Sequence, residues 1–230
     1  TTSSKSKFIP VSRESLNDCH LAVGKDLLAI YTHENPNSQL FEGLSLRLGG
    51  SSKINELENV SYYGDLSAIM IQNLPFWAEW RSTPSNDIAL LEDWEEKVEK
   101  ISNQVSGQNI TSLFGVPSWM LVLVKRVLNE NSVTSLEEIW PNLELFCHGG
   151  VSYKPYSDSF KKILPKNCKL LETYNASEGF FAIQDRLDQD GLLLMLEHGI
   201  YYEFIPMSEF HGRQSKAINL EKVELGIEYS

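Results

Sequence analysis

Apolar residues recur at helical spacing near the start of the chain. Leu16, His20, Val23, Leu27 and Tyr31 follow one another at three- and four-residue steps, which places them on one face of a helix. Ser12, followed by Arg13, Glu14 and Ser15, reads as its start, and Glu34-Asn35-Pro36-Asn37-Ser38 as its end. Leu44 to Leu48 alternates apolar and polar residues and runs into Gly49-Gly50, the pattern of a strand entering a turn. Asn86 is placed to cap a second helix, with Ile88, Leu91, Trp94, Val98, Ile101 and Val105 as its buried stripe and acids and lysines between them. Gly115 to Ser118 is a break, and Pro117 suits the first turn of a third helix running to about Leu128.

The second half changes character. Leu143 to Cys147 is a short apolar strand leading into His148-Gly149-Gly150. A helical stretch from Ser157 to Ile163 follows, then a strand from Cys168 to Tyr174 that leads into Asn175-Ala176-Ser177-Glu178-Gly179. Strand, loop, helix, strand, loop is the order of an α/β layer with a parallel pair. Ligands of such sheets sit at the carboxyl ends of the strands. Gly191 to Met195 and Ile200 to Ile205 flank Glu197-His198-Gly199 as a hairpin. Asn219 to Tyr229 reads as one more strand. The fold class is therefore α/β: a mixed or parallel sheet flanked by helices, with added antiparallel strands.

Charge narrows the function classes. The chain has 230 residues and a formal net charge of -11, with no Lys/Arg block, which argues against nucleic acid or an anionic membrane as a partner. Cys19, Cys147 and Cys168 form no CxxC pattern, which suits a reduced, cytoplasmic setting. The longest apolar stretch, Trp119 to Val124, is far short of a membrane span. The chain begins at Thr1 without Met and stops in the strand-like Val223 to Ser230, so residues are expected to be missing on both sides.

Three short segments carry candidate chemistry. Thr1-Thr2-Ser3-Ser4-Lys5-Ser6-Lys7 offers hydroxyls, backbone N–H groups and lysine charge for phosphate oxygens, or is a plain polar tail. It is not the GxxxxGK[ST] loop, which argues against an ordinary P-loop ATPase. His148-Gly149-Gly150-Val151 lets a flat ligand approach the backbone, or is a simple turn. Tyr174-Asn175-Ala176-Ser177-Glu178-Gly179 puts a ring for stacking, a hydroxyl for phosphate and a carboxylate for Mg²⁺ on one loop, or is a turn capped by Ser177.

Taken in order, these segments resemble the Gretchen Hagen three family of acyl acid-amido synthetases, within the adenylate-forming enzymes. Thr1-Thr2 with Lys7-Phe8-Ile9-Pro10 is similar to the second half of the family's first motif. Phe114-Gly115-Val116-Pro117-Ser118-Trp119-Met120 resembles its central Gly-Val-Pro-Ser-Trp segment. His148 to Tyr156 resembles its Gly-Gly segment, and Tyr174 to Gly179 its Tyr-x-x-Ser/Thr-Glu-Gly motif. Tyr201 to Pro206 and Val223 to Gly226 are similar to the strands that follow. Asn175 stands where related adenylating enzymes commonly carry Gly.

The resemblance implies a single partial adenylation domain over residues 1–230, from the large amino-terminal domain of such an enzyme, without its mobile carboxy-terminal domain. The chain alone is expected to lack full activity. The resemblance also implies ATP with Mg²⁺, a small carboxylic acid, and an amino acid or other amine as the acceptor. Glu178 would be the catalytic, Mg²⁺-binding carboxylate. Thr1, Thr2, Lys7, Gly149, Gly150, Val151, Tyr174, Asn175 and Ser177 would bind the nucleotide. Val23, Leu27, Val116 and Trp119 would wall the acid, or else Val23 and Leu27 are plain core. Two alternatives share much of this pattern: thioester formation by an acyl-CoA ligase, and a nucleotide-binding module without turnover.

Overall fold

A computed structural model describes residues 9–50, 55–58, 61–187, 189, 191–210 and 216–230. Thr1, Thr2 and Lys7 lie outside the described residues. The chain divides into two compact units, Thr1–Met195 and Leu196–Ser230.

The first unit opens as the apolar period predicts. The Ser12 hydroxyl accepts from the Ser15 N–H at 3.1 Å, and a π-helical stretch, Ser15–Leu21, runs directly into α1 (Ala22–Glu34). Leu16, His20, Val23, Leu27 and Tyr31 are all buried. Next come β1 (Leu44–Leu48), the hairpin of β2 (Asn55–Glu58) and β3 (Ser61–Tyr63), α2 (Leu66–Gln72), α3 (Phe76–Trp80) and β4 (Ser82–Thr83).

The single helix read from Asn86 is two. α4 (Asn86–Ala89) stops, and α5 (Trp94–Val105) starts anew with the Asp93 carboxylate accepting from the Glu96 N–H at 2.7 Å. Asn86 is not a cap. Its side-chain oxygen accepts from Arg47 instead. The apolar steps Ile88, Leu91, Trp94 continue across the break, so their spacing hides it. Lys97, one of the lysines between the stripe residues, is only 1% exposed and donates to the Gly50 carbonyl at 3.0 Å.

β5 (Ile110–Gly115), α6 (Pro117–Glu130), β6 (Leu145–Gly149) and α7 (Ser157–Ile163) follow close to expectation. β7 (Lys169–Ala176) is longer than predicted and turns back through Ser177-Glu178 into the antiparallel β8 (Gly179–Ile183). Asn175 and Ala176 are therefore strand residues. β9 (Leu193–Leu194) pairs with β8.

The main sheet has the order β4-β1-β5-β6-β7-β8-β9. The first five strands in that row are mutually parallel, and β8 and β9 are antiparallel additions. Leu46, Leu113 and Phe146 face a core shared with Ile101 of α5, Val124 of α6 and Phe160 of α7. Strand alternation turns Arg47, Ser112 and Cys147 to the opposite face. Among the described residues, no helix is long and apolar enough to cross a membrane.

The second unit corrects two expectations. β10 (Glu203–Phe204) pairs with β11 (Ile218–Asn219), so the segments flanking Glu197-His198-Gly199 do not pair with each other. The expected strand from Asn219 to Tyr229 is broken by a 3-10 turn at Leu220–Lys222 and by Gly226 at φ 84°, before Tyr229 bridges to Pro206.

Candidate functional site

Parallel strands end together, and the register shows where. Leu48 of β1 is level with Gly115 of β5, and Gly115 with His148 of β6. Just past that row lies a cleft of about 590 Å³, in the range of small-molecule sites. The sheet forms its floor. Leu27 and Leu28 of α1 contribute to one wall, and Met70, Leu74 and Trp77 of α2–α3 to another.

Sequence-distant segments converge here. Val116 and Trp119, Gly149 and Gly150, and Asn175 and Ser177 all line the cleft, together with Leu27. Val151, Tyr174 and Glu178 do not, although each is the chain neighbour of a residue that does. Alternation along β7 explains Tyr174: Thr173 faces the cleft, while the Tyr174 ring is 56% exposed and packs on Phe181 with centroids 5.1 Å apart. Glu178 is exposed in the turn between β7 and β8. Val23 is fully buried and is not part of the lining, so its place is in the core. Val23→Phe should cost about 1–3 kcal/mol of stability through overpacking, read as a lowered urea midpoint, with no reordering of acid preference. An altered preference at unchanged stability would contradict this placement.

Both glycines of the Gly149-Gly150 pair have structural reasons. A Cβ on Gly149 would lie 2.4 Å from the Thr173 carbonyl oxygen, so β6 and β7 approach closely only because no side chain intervenes. Gly150 has φ +79°, a conformation that L side chains rarely adopt, and a Cβ there would touch Val116 at 3.4 Å. That contact joins two of the motifs. Thr173 also donates its hydroxyl to the His148 carbonyl at 3.1 Å.

Asn175 has a role that the sequence did not disclose. Its amide oxygen meets His20 Nδ1 at 3.2 Å, and its amide nitrogen lies 3.8 Å from Met70 sulfur. One residue earlier, Cys19 sulfur accepts from the Phe180 N–H at 3.3 Å. The π-helical stretch is thus tied at two consecutive residues to the β7–β8 hairpin. Glycine in place of Asn175 would remove one of those ties.

Burial acts on three titratable groups of the cleft lining, Cys147, His148 and His20. Burial pushes the Cys147 thiol up to about 12, so it carries no thiolate at neutral pH. His148 stacks on Tyr153 with centroids 4.4 Å apart and has no partner for Nδ1 among the described residues. Burial lowers its pKa to about 4. His20 is lowered too, by burial, against the opposing hydrogen bond to the Asn175 amide oxygen. A depressed histidine stabilises the fold fully above its unfolded value of 6.5, and that stability is lost as pH falls towards the folded value. Acidifying from pH 7 to pH 4 should therefore lower stability by up to about 3 kcal/mol through His148. His148→Phe, which keeps a ring in the stack, should flatten the melting temperature over that window. An unchanged slope would remove His148 as its source.

Arg47 is the polar residue that sequence reading passed over. The alternation of Leu44, Leu46 and Leu48 assigned its face correctly, but that face is covered by helices instead of water. Arg47 is 8% exposed and lines the cleft.

Among the described residues, no three His, Cys, Asp or Glu side chains gather to hold a metal. A Mg²⁺ ion carried on nucleotide phosphates needs only one or two protein carboxylates, since phosphate and water oxygens complete its octahedron. A single exposed carboxylate beside the cleft fits that requirement.

Residues 1–169 match the model of the GH3 family N-terminal domain. No curated protein matches the chain. Among solved structures it is similar to the GH3.15 acyl acid amido synthetase, with a TM-score of 0.71 at 14% identity, over 98% of this chain and 48% of that one. It is also similar to the AtGH3.15 acyl acid amido synthetase in complex with 2,4-DB, with a TM-score of 0.73 at 13% identity, over 100% of this chain and 48% of that one. At these identities the likeness is one of fold, and the chain spans about half the length of both.

Proposed function

Because this chain belongs to the GH3 family, we propose that residues 1–230 are part of one adenylation domain that activates a carboxylic acid with ATP for transfer to an amine, such as an amino acid. The observation that carries this reading is the convergence of Val116, Gly150 and Ser177, from three separate motifs, on one cleft at the ends of parallel strands. The likeness in fold to acyl acid amido synthetases supports it.

A carboxylate is a poor electrophile, because its leaving group would be oxide. In the proposed reaction a carboxylate oxygen bonds to the α-phosphorus of ATP and pyrophosphate departs. The amine then bonds to the acyl carbon and AMP departs, the amine proton passing to solvent or base. Neither step needs an enzyme nucleophile, which agrees with a Cys147 thiol kept protonated by burial. In this reading Glu178 holds Mg²⁺, which neutralises phosphate charge. The Gly150 backbone and the Ser177 hydroxyl face the phosphates or the base, and Tyr174 offers its exposed ring for stacking. Thr1, Thr2 and Lys7 complete the phosphate contacts, while Gly149, Val151 and Asn175 shape the loops. Leu27, Val116 and Trp119 wall the acid.

The test is acid-dependent exchange of labelled pyrophosphate into ATP by the full-length protein, followed by identification of products formed with amino acids and with CoA. Exchange with an amide product supports the proposal. A thioester product favours the acyl-CoA ligase alternative, and nucleotide binding without exchange for any acid favours a module without turnover.

A further inference from the structure

Although the chain carries a net charge of -11, the cleft lining carries Lys25, Arg47 and Arg81 against Asp65 as its one acidic side chain among the described residues. Asp65 is already committed, accepting from the Ser67 N–H at 2.8 Å and the Ser67 hydroxyl at 2.6 Å. Of the three cations, Arg47 is the buried one. Its Nη2 donates to Asn86 Oδ1 at 2.5 Å and to the Pro84 carbonyl at 3.4 Å. Its Nε and Nη1 are buried without a hydrogen-bond partner among the described residues. Nε carries one N–H and Nη1 two, so three donors of a permanent cation are left unanswered. Glu79 is tied to Arg47 through the Asn86 amide, which donates to it at 2.8 Å, and Glu79 is itself exposed. Its charge is therefore largely screened by water. Buried cations are costly unless paired, and unsatisfied buried donors point to a missing partner.

The position of Arg47 says which part of a ligand that partner belongs to. The guanidinium reaches towards Pro84 and Asn86, just beyond β4, on the side of β1 away from β5. Gly149 of β6 and Asn175 of β7 lie two and three strands to the other side of β1. Counted from β4, where the guanidinium ends, these are three and four strands, so at about 4.8 Å per strand the two sites stand on the order of 15–20 Å apart. The space between them is lined by apolar groups such as Leu27, Met70 and Phe114.

We propose that Arg47 anchors a second carboxylate at the far end of the acid substrate, so that the preferred acids have an apolar body with a carboxylate at each end. This rests on the acid-activating reading above, in which the carboxyl being activated lies at the strand ends near Gly150 and Ser177. Arg47 acts there as a specificity residue, through charge-assisted hydrogen bonds to the group that does not react.

The test separates the two claims. Calorimetric binding of suberate and octanoate, and of azelate and nonanoate, is measured on the full-length protein without nucleotide, beside the exchange assay with the same acids. Each dicarboxylate should bind more tightly than its matched monoacid by a factor on the order of ten. That ratio should fall to about one in Arg47→Met and be partly kept in Arg47→Lys, which guards against a variant that fails to fold. Circular dichroism of both variants is the check on fold. A ratio near one in the wild type, or one unchanged in both variants, overturns the Arg47 assignment and leaves a buried water as its partner. A ratio that depends on Arg47, with no exchange for any acid, upholds the anchor and overturns the adenylation reading.

Discussion

Glu178→Gln in the full-length protein is expected to lower acid-dependent pyrophosphate exchange by roughly 10²–10³-fold, the usual effect of removing one group that stabilises charge in a transition state. The substitution keeps size and removes charge. Glu178 is exposed in the tight turn between β7 and β8, so the fold should scarcely register the change, within about 0.5 kcal/mol. Loss of rate with an unchanged urea midpoint separates a metal-binding role from a structural one. Raising Mg²⁺ should recover part of the exchange, because a weakened ligand set still binds at higher concentration. Exchange close to wild type at low Mg²⁺ would remove Glu178 from the proposed site.

Gly149→Ala is expected to destabilise the protein by about 3 kcal/mol, towards the upper end of overpacking costs. The added methyl would lie 2.4 Å from a backbone oxygen, that of Thr173, and 2.6 Å from its hydroxyl. A hydroxyl can rotate away, but the carbonyl moves only if β6 and β7 separate at their ends. The Thr173 hydrogen bond to the His148 carbonyl would go with that movement. Gly150→Ala meets only Val116, at 3.4 Å, and carries chiefly the strain of φ +79°, about 1–2 kcal/mol. Denaturant midpoints should therefore rank wild type, then Gly150→Ala, then Gly149→Ala. The reverse order would mean that the strand ends are looser than the structure shows.

These two glycines illustrate what the sequence disclosed. His148-Gly149-Gly150 was legible as a strand ending in a turn, because a short apolar run before paired glycines has few other readings, while a ligand-facing turn and a simple one look alike in sequence. The separate reasons for each glycine were not legible, since one depends on a neighbouring strand and the other on a dihedral angle. The helix bearing Leu16 to Tyr31 was legible because one periodic stripe meets one core. Its π-helical stretch was not, because widening a turn leaves the stripe in place. Asp93 followed by Glu96 was a local capping signal, masked by apolar spacing that happened to stay in step. The hairpin expected around Glu197-His198-Gly199 failed for a different reason. Nearness in sequence favours pairing of adjacent segments, but β8 offered β9 a longer sheet to join. Arg47 was readable in type and in face, and unreadable in burial. Burial of that face depends on α1, α2 and α3, which the strand's own residues do not encode.

The ties between the π-helical stretch and the β7–β8 hairpin set an order on the making of this protein. Cys19 meets Phe180 across 161 positions of chain, and His20 meets Asn175 across 155. During synthesis the first helix leaves the ribosome long before either partner exists. Contacts so distant in sequence are slow to close and form late. Cys19 and His20, both buried in the finished fold, must wait uncovered in the nascent chain until residue 180 has emerged. The parallel strands and α5 to α6 can assemble in the interval. The side of the cleft built by β7 and β8 is thus completed after the rest of its lining, so a chain released before that hairpin would hold much of the scaffold but a site with one side missing.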